Sequence, residues 1–166
     1  MSIFGRRRKA EPPASPAPSA GTPQAPPMDE SSVVLSGTAR DREAAILEAG
    51  GLLVTAGAVE EPYVAGMLER ERSVSTYMGN ELALPHGTSA SSTSVNRVGL
   101  SFVRYDEPLD WDGRSVRFVV GLAGSGTEHL GLIERLAGVF TDDARVERLR
   151  AATTPANVVA VLGTTA

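Results

Sequence analysis

Hydrophobic positions recur along this chain with two different periods, and the switches between them predict its elements. From Thr38, TARDREAAILEAGGLLVTAG puts Ile46, Ala49, Gly50 and Leu53 on one helical face, with Thr38 as the cap, Asp41 three residues on and Gly57 as the stop. A second helix follows in EEPYVAGMLERER. Acids and Pro62 occupy its first turn, Tyr63, Val64, Met67 and Leu68 make its apolar face, and Arg70 falls where it runs out. The period then drops to two. ELALPHG and NRVGLSFVRY read as strands, the latter alternating Val98, Leu100 and Phe102 against Gly99, Ser101 and Val103. A turn signal, DWDG, leads into SVRFVVGLAG, a nearly continuous apolar run suited to an inner strand. TEHLGLIERLAGVF, DDARVERLRAA and TPANVVAVLG return to the helical period, the last with Thr154 and Pro155 as its starting signal. Helices on both faces of a small mixed sheet give an α/β (α+β) fold.

Composition makes this one domain with an appendage. The chain has 166 residues and 42% hydrophobic content, enough for a single core. Residues 10 to 27 are mostly Pro, Ala and Ser with little to bury, so residues 1–30 are expected to be a disordered leader and residues 31–166 the folded domain; Met28 is also a candidate alternative start. Of 16 basic residues, four form the run RRRK in the leader, and the twelve that remain, all arginine, face 17 acids from Ser31 onward. The leader's cluster reads as a solvated tail in preference to a lipid contact. An acidic domain with 5% aromatic residues lacks the basic surface and stacking groups of a nucleic-acid binder. The absence of a span of roughly 20 apolar residues argues against membrane insertion, and the basic start has no apolar stretch behind it to make a signal peptide, so the expected location is cytoplasmic.

With no cysteine, the chemistry cannot use thiolates. The chain has two histidines. His86 lies in LALPHGT, where Pro85 biases Leu84 towards an extended conformation and Gly87 lets the chain leave sharply, so the imidazole stands at a strand's end. Taken alone, it is either an ordinary turn residue or a displayed reactive group. His129 falls in the first turn of a helix, on the stripe of Ile133, Leu136 and Phe140, and reads either as a core-edge residue or as a neutral N–H donor to an oxyanion. The glycine-rich GLAGSGTEHL before it favours an anion but matches neither the dinucleotide fingerprint nor a phosphate-binding loop with its lysine. Two histidines without HExxH spacing do not make a metal site, and Ser125 lacks the outer glycines of a nucleophile elbow.

Taken in order, EEPYVAGMLERERSVSTYMGNELALPHGT and VVGLAGSGTEHLGLIERLA resemble the enzyme IIA domain of the bacterial phosphotransferase system, mannitol/fructose superfamily, and most closely its mannitol branch. The resemblance covers roughly Val33 to Leu162. It implies a phosphocarrier that needs no metal or cofactor: His86 accepts a phosphoryl group from the phosphohistidine of HPr and passes it to a cysteine of enzyme IIB, the partner domain of a membrane permease, for uptake of a sugar or hexitol.

The same resemblance places Arg70 and His129 around the phosphate, with Gly87 and Thr88 supporting it. An arginine and a neutral histidine suit the charge on the equatorial oxygens during transfer. Many relatives carry a glutamate six residues before the active histidine. This chain has Asn80 there with Glu81 beside it, and Asn80 is expected to form a turn with Gly79. The alternative within the superfamily is a regulatory, nitrogen-type enzyme IIA that signals by its phosphorylation state.

Overall fold

A computed structural model describes residues 27–163; the expected basic leader and Pro-rich tether fall almost wholly outside the described residues. The fold is under way before Ser31. Pro27 O accepts from Leu100 N (2.8 Å), Met28 is buried, and a short 3-10 turn, Glu30–Ser32, leads into β1 (Val33–Val34).

Helix α1 (Arg42–Thr55) starts later than its periodicity suggested. Asp41 is the N-cap, accepting from Ala44 N at 2.8 Å, whereas Thr38 N and Ala39 N donate to the carboxylate of Glu48, a residue of α1 itself (3.1 and 3.2 Å). An aspartate next to the first turn satisfies its free N–H groups directly, and that outweighs a threonine three residues upstream. Gly57, at φ 71°, ends the segment as expected. Helix α2 (Pro62–Ser73) begins at its proline.

The sheet has the order β1-β4-β5-β3-β2, with β2 (Tyr77–Gly79), β3 (Leu82–Ala83), β4 (Gly99–Asp110) and β5 (Ser115–Ala123). It is mixed: β1 with β4 and β3 with β5 are parallel, while β4 with β5 and β2 with β3 are antiparallel. Both faces are covered. Leu100, Phe102, Phe118, Val120 and Leu122 pack on one side against α3 (Gly126–Phe140), α4 (Asp143–Ala151) and α5 (Pro155–Gly163). Val103, Tyr105, Val119 and Ala123 pack on the other against α1 and α2. The alternation read in β4 therefore separates two cores, and neither side of the strand's first half faces solvent.

DWDG holds a turn, but Trp111 is not part of its exposed tip. The tip is Asp112 and Gly113, at φ 55° and 83°, closed by Trp111 N to Arg114 O (2.8 Å), while the indole is fully buried. Positive φ at both central residues matches the twist of a two-residue hairpin, which leaves Trp111 as the last paired residue and free to point inwards.

Candidate active site

The site forms where three chain segments meet: the exit of β3, the last turn of α2 and the first turn of α3. Regular pairing of β3 stops at Ala83, because Pro85 has no N–H to continue the ladder. The chain nevertheless stays on the sheet. Leu122 N donates to Pro85 O (3.0 Å), and His86 pairs with Leu122 as an isolated parallel bridge. The imidazole thus stands at the strand's end, as expected from its Pro and Gly neighbours.

The ring is oriented by its own backbone. His86 Nδ1 lies 2.8 Å from Leu84 O, and a carbonyl pairs only with a protonated ring nitrogen, so Nδ1 carries the hydrogen and Nε2 the lone pair. Burial pulls the His86 pKa below the ordinary histidine value. The Leu84 hydrogen bond opposes that shift, the charge of Arg70 adds to it, and the charge of Glu71 opposes it. A neutral imidazole with one free nitrogen is a nucleophile.

His129 faces it, with ring centroids 4.8 Å apart and planes at 60°. Its pKa is lowered as well, first by burial, then by His86 and Arg70. The Nδ1 atom of His129 is buried with no hydrogen-bond partner among the described residues. A buried lone pair is better tolerated than a buried orphan N–H, which favours the tautomer with its proton on Nε2. Arg70 donates to Val74 O (2.8 Å), just past the end of α2, and its charge reaches both imidazoles. The structure therefore brings His86, His129 and Arg70 together.

Gly87 and Thr88 follow His86 in a tight turn. Ser91 N donates to Thr88 Oγ1 (3.2 Å) and Ser91 Oγ to Thr88 O (2.8 Å), opening the 3-10 turn Ala90–Ser94. Gly87, Thr88, Ser92, Gly124, Gly126 and His129 line a shallow depression of about 200 Å³ beside the histidine pair.

Asn80 and Glu81 have other work. They form the β2–β3 turn at φ 46° and 61°, the Asn80 side chain donates to Phe140 O at the end of α3, and Glu81 pairs with Arg150 (2.8 Å) and Arg117 (3.7 Å). The carboxylate whose charge acts on His86 is Glu71. It is almost fully buried and accepts from Thr76 N (3.0 Å), Thr76 Oγ1 and Trp111 Nε1 (2.8 Å). The sequence hid Glu71 among the arginines at the end of the second helix, where nothing singled it out. It also presented Tyr63 only as an apolar residue, although its hydroxyl holds Gly87.

The sequence matches the family described as phosphoenolpyruvate-dependent sugar phosphotransferase system, EIIA 2, over residues 27–164. It is 44% identical over 136 residues to the mannitol-specific phosphotransferase enzyme IIA component of Halalkalibacterium halodurans, covering 82% of this chain and 94% of that protein. Its fold is similar to that in the complex of enzyme IIAMTL and phosphorylated enzyme IIBMTL from Escherichia coli, with TM-score 0.74, 33% identity and coverage of 81% of this chain and 97% of the other. A nitrogen regulatory protein IIA-Ntr from Neisseria meningitidis is similar at TM-score 0.68 and 27% identity, covering 82% and 96%.

Proposed function

Because this chain belongs to the EIIA type 2 family of the phosphoenolpyruvate-dependent sugar phosphotransferase system, we propose that it is a phosphocarrier whose acceptor atom is His86 Nε2 and whose sugar is mannitol. The observation that carries the acceptor is the Nδ1 hydrogen bond to Leu84 O, which leaves Nε2 as the free nitrogen. Its lone pair forms a bond to phosphorus as the N–P bond of phosphohistidine on HPr breaks. In the second step the thiolate of enzyme IIB attacks the same phosphorus, and the electron pair of the N–P bond returns to Nε2. While the phosphoryl group is held, the ring carries positive charge, and the Nδ1–H to Leu84 O bond stabilises it.

Arg70 and His129 act on the transferring group without becoming its acceptor. The guanidinium compensates equatorial oxygen charge, and His129 donates one N–H to an oxygen. Thr88 and Gly87 shape the turn that leaves room for the partner. Among the solved structures, both identity and TM-score are higher for the mannitol enzyme IIA (33%, 0.74) than for the nitrogen regulatory protein (27%, 0.68), which supports sugar transport over the regulatory alternative. Among the described residues no helix is long and apolar enough to cross a membrane, and the cytoplasm is the location that fits HPr and IIB as partners.

Incubation with phosphoenolpyruvate, enzyme I and HPr tests the reading. Acid-labile label should appear on His86, be absent from His86→Ala and pass to a mannitol-type IIB. Full labelling of His86→Ala would reject the acceptor, and label that no sugar-permease IIB accepts would favour the regulatory alternative.

A further inference from the structure

We infer that Tyr63 is a positioning residue for phosphoryl transfer: its buried hydroxyl ties the turn after His86 to strand β5 and so fixes where the acceptor nitrogen stands. This rests on the reading of His86 as the phosphoryl acceptor. The Tyr63 hydroxyl donates to Leu122 O (2.7 Å) and accepts from Gly87 N (2.9 Å). On the other side of His86, Leu122 N donates to Pro85 O (3.0 Å). Both polar groups of Leu122 are therefore spent on the residues flanking the nucleophile, one directly and one through Tyr63. The hydroxyl thus sits between Gly87 N and Leu122 O and reinforces the bridge by which His86 pairs with Leu122.

The ring does as much as the hydroxyl. A Cβ on Gly87 would stand 2.5 Å from Tyr63 Cε2 and 2.3 Å from Ser91 Oγ, so the aromatic edge occupies the space that any other residue after His86 would need. One turn further along α2, a Cβ on Gly66 would meet the Ser91 side chain at 2.5 Å, so the helix lies close against the same turn. Tyr63, Gly66 and Arg70 recur at helical spacing on one stripe of α2. A single helix face thus supplies the hydroxyl that holds the turn, a bare surface that seats it and the cation that acts on its histidine. Tyr63 is only 1% exposed, and burial raises its pKa, so the hydroxyl keeps the proton that it donates to Leu122 O.

The test compares Tyr63→Phe with the wild-type chain, since phenylalanine keeps the ring and removes the hydroxyl. Three quantities are read: hydrogen exchange of the Gly87 amide, the single-turnover rate of phosphoryl uptake at saturating phospho-HPr, and the half-saturating phospho-HPr concentration, with rates expressed per folded molecule from a melting curve. The Gly87 amide should exchange faster while the amides of β4 and β5 stay protected. His86 should still take the label, about 10²-fold more slowly, because a small misplacement of a reacting atom is amplified in the rate. The half-saturating concentration should not move. An unchanged rate per folded molecule would overturn the proposal, whatever Gly87 does, and so would a slower rate accompanied by faster exchange throughout β4 and β5. Absence of label on the wild-type chain would instead overturn the phosphocarrier reading, and that arm is scored separately.

Discussion

The imidazoles of His86 and His129 stand edge to face with centroids 4.8 Å apart, and both are held neutral by burial before any charge acts on them. The pair is not interchangeable. His86 has committed Nδ1 to Leu84 O and keeps Nε2 as a lone pair, whereas His129 has a buried, unpartnered Nδ1 and is suited to offer an N–H from Nε2. On the proposed reading, one ring attacks phosphorus and the other meets the oxygens.

That division predicts the behaviour of truncations. His129→Ala and Arg70→Ala should each slow transfer in both directions by about 10²-fold or more, the loss typical of one preorganised donor, while His86 is still labelled. If His129 were only a core-edge residue beside Ile133 and Leu136, its loss would lower the melting temperature and leave the rate of the folded fraction intact. Single-turnover transfer to IIB and thermal melting on the same sample separate the two outcomes.

The pH response follows from the lowered pKa values. Transfer should be flat at pH 7 and above and fall in acid with a midpoint below 6.5, the ordinary histidine value. Stability should move in the same direction. Unfolded histidines take up protons as pH falls through about 6.5 while the folded ones resist, so the unfolded state binds more protons and the fold loses stability towards acid. Phosphorylation of His86 should then raise the His129 pKa, because a dianion beside the ring favours imidazolium. Titration of the imidazole ¹⁵N shifts in both forms checks each step; a His86 pKa at or above 6.5 in the free protein would contradict the first.

The helices, the inner strand and the display of His86 could all be read from periodicity and from Pro85 and Gly87, since these are local effects. What stayed hidden depends on which group happens to lie opposite in space. Thr38 and Asp41 are both good caps, and only the position of Glu48 relative to Thr38 and Ala39 shows that Asp41 serves α1. Trp111 belongs to a turn sequence yet is buried, because its neighbours Asp112 and Gly113 take the positive φ angles. Nothing within LERER marks Glu71 as the one acid that turns inwards, since its donors come from Thr76 and Trp111, the second 40 residues away.

The Glu71 carboxylate accepts from Thr76 and Trp111 and depends on those donors, so removing one should be costly. Trp111→Phe takes away the indole N–H that lies 2.8 Å from Glu71 Oε1 and leaves a buried carboxylate less satisfied. The expected loss is about 1–3 kcal/mol in urea unfolding. Glu71→Gln removes the charge that raises the His86 pKa and should lower that pKa further. A Trp111→Phe variant as stable as the wild type would show that the hydrogen bond carries no weight.

The last prediction concerns where the domain starts. A chain beginning at residue 27 should melt and be labelled like the 166-residue chain, because every contact described above for the core and the site is made among residues 27–163. A chain beginning at residue 31 should not. It lacks the Pro27 carbonyl that accepts from Leu100 N, at the head of β4, and it lacks Met28, which is 4% exposed in the core against α3–α5. Truncating a buried methionine typically costs 2–5 kcal/mol, so a loss of roughly that size is expected, together with an unpaired amide at Leu100. Because β5, with Leu122 opposite Leu100, stands between β4 and the His86 turn and keeps its own bonds to that turn, the folded fraction of the shorter chain should still accept phosphoryl groups at the normal rate. Urea unfolding and single-turnover labelling of the two chains decide the matter: equal stabilities would mean that Pro27 and Met28 are passengers, and a slower rate per folded molecule would mean that β4 bears on the site.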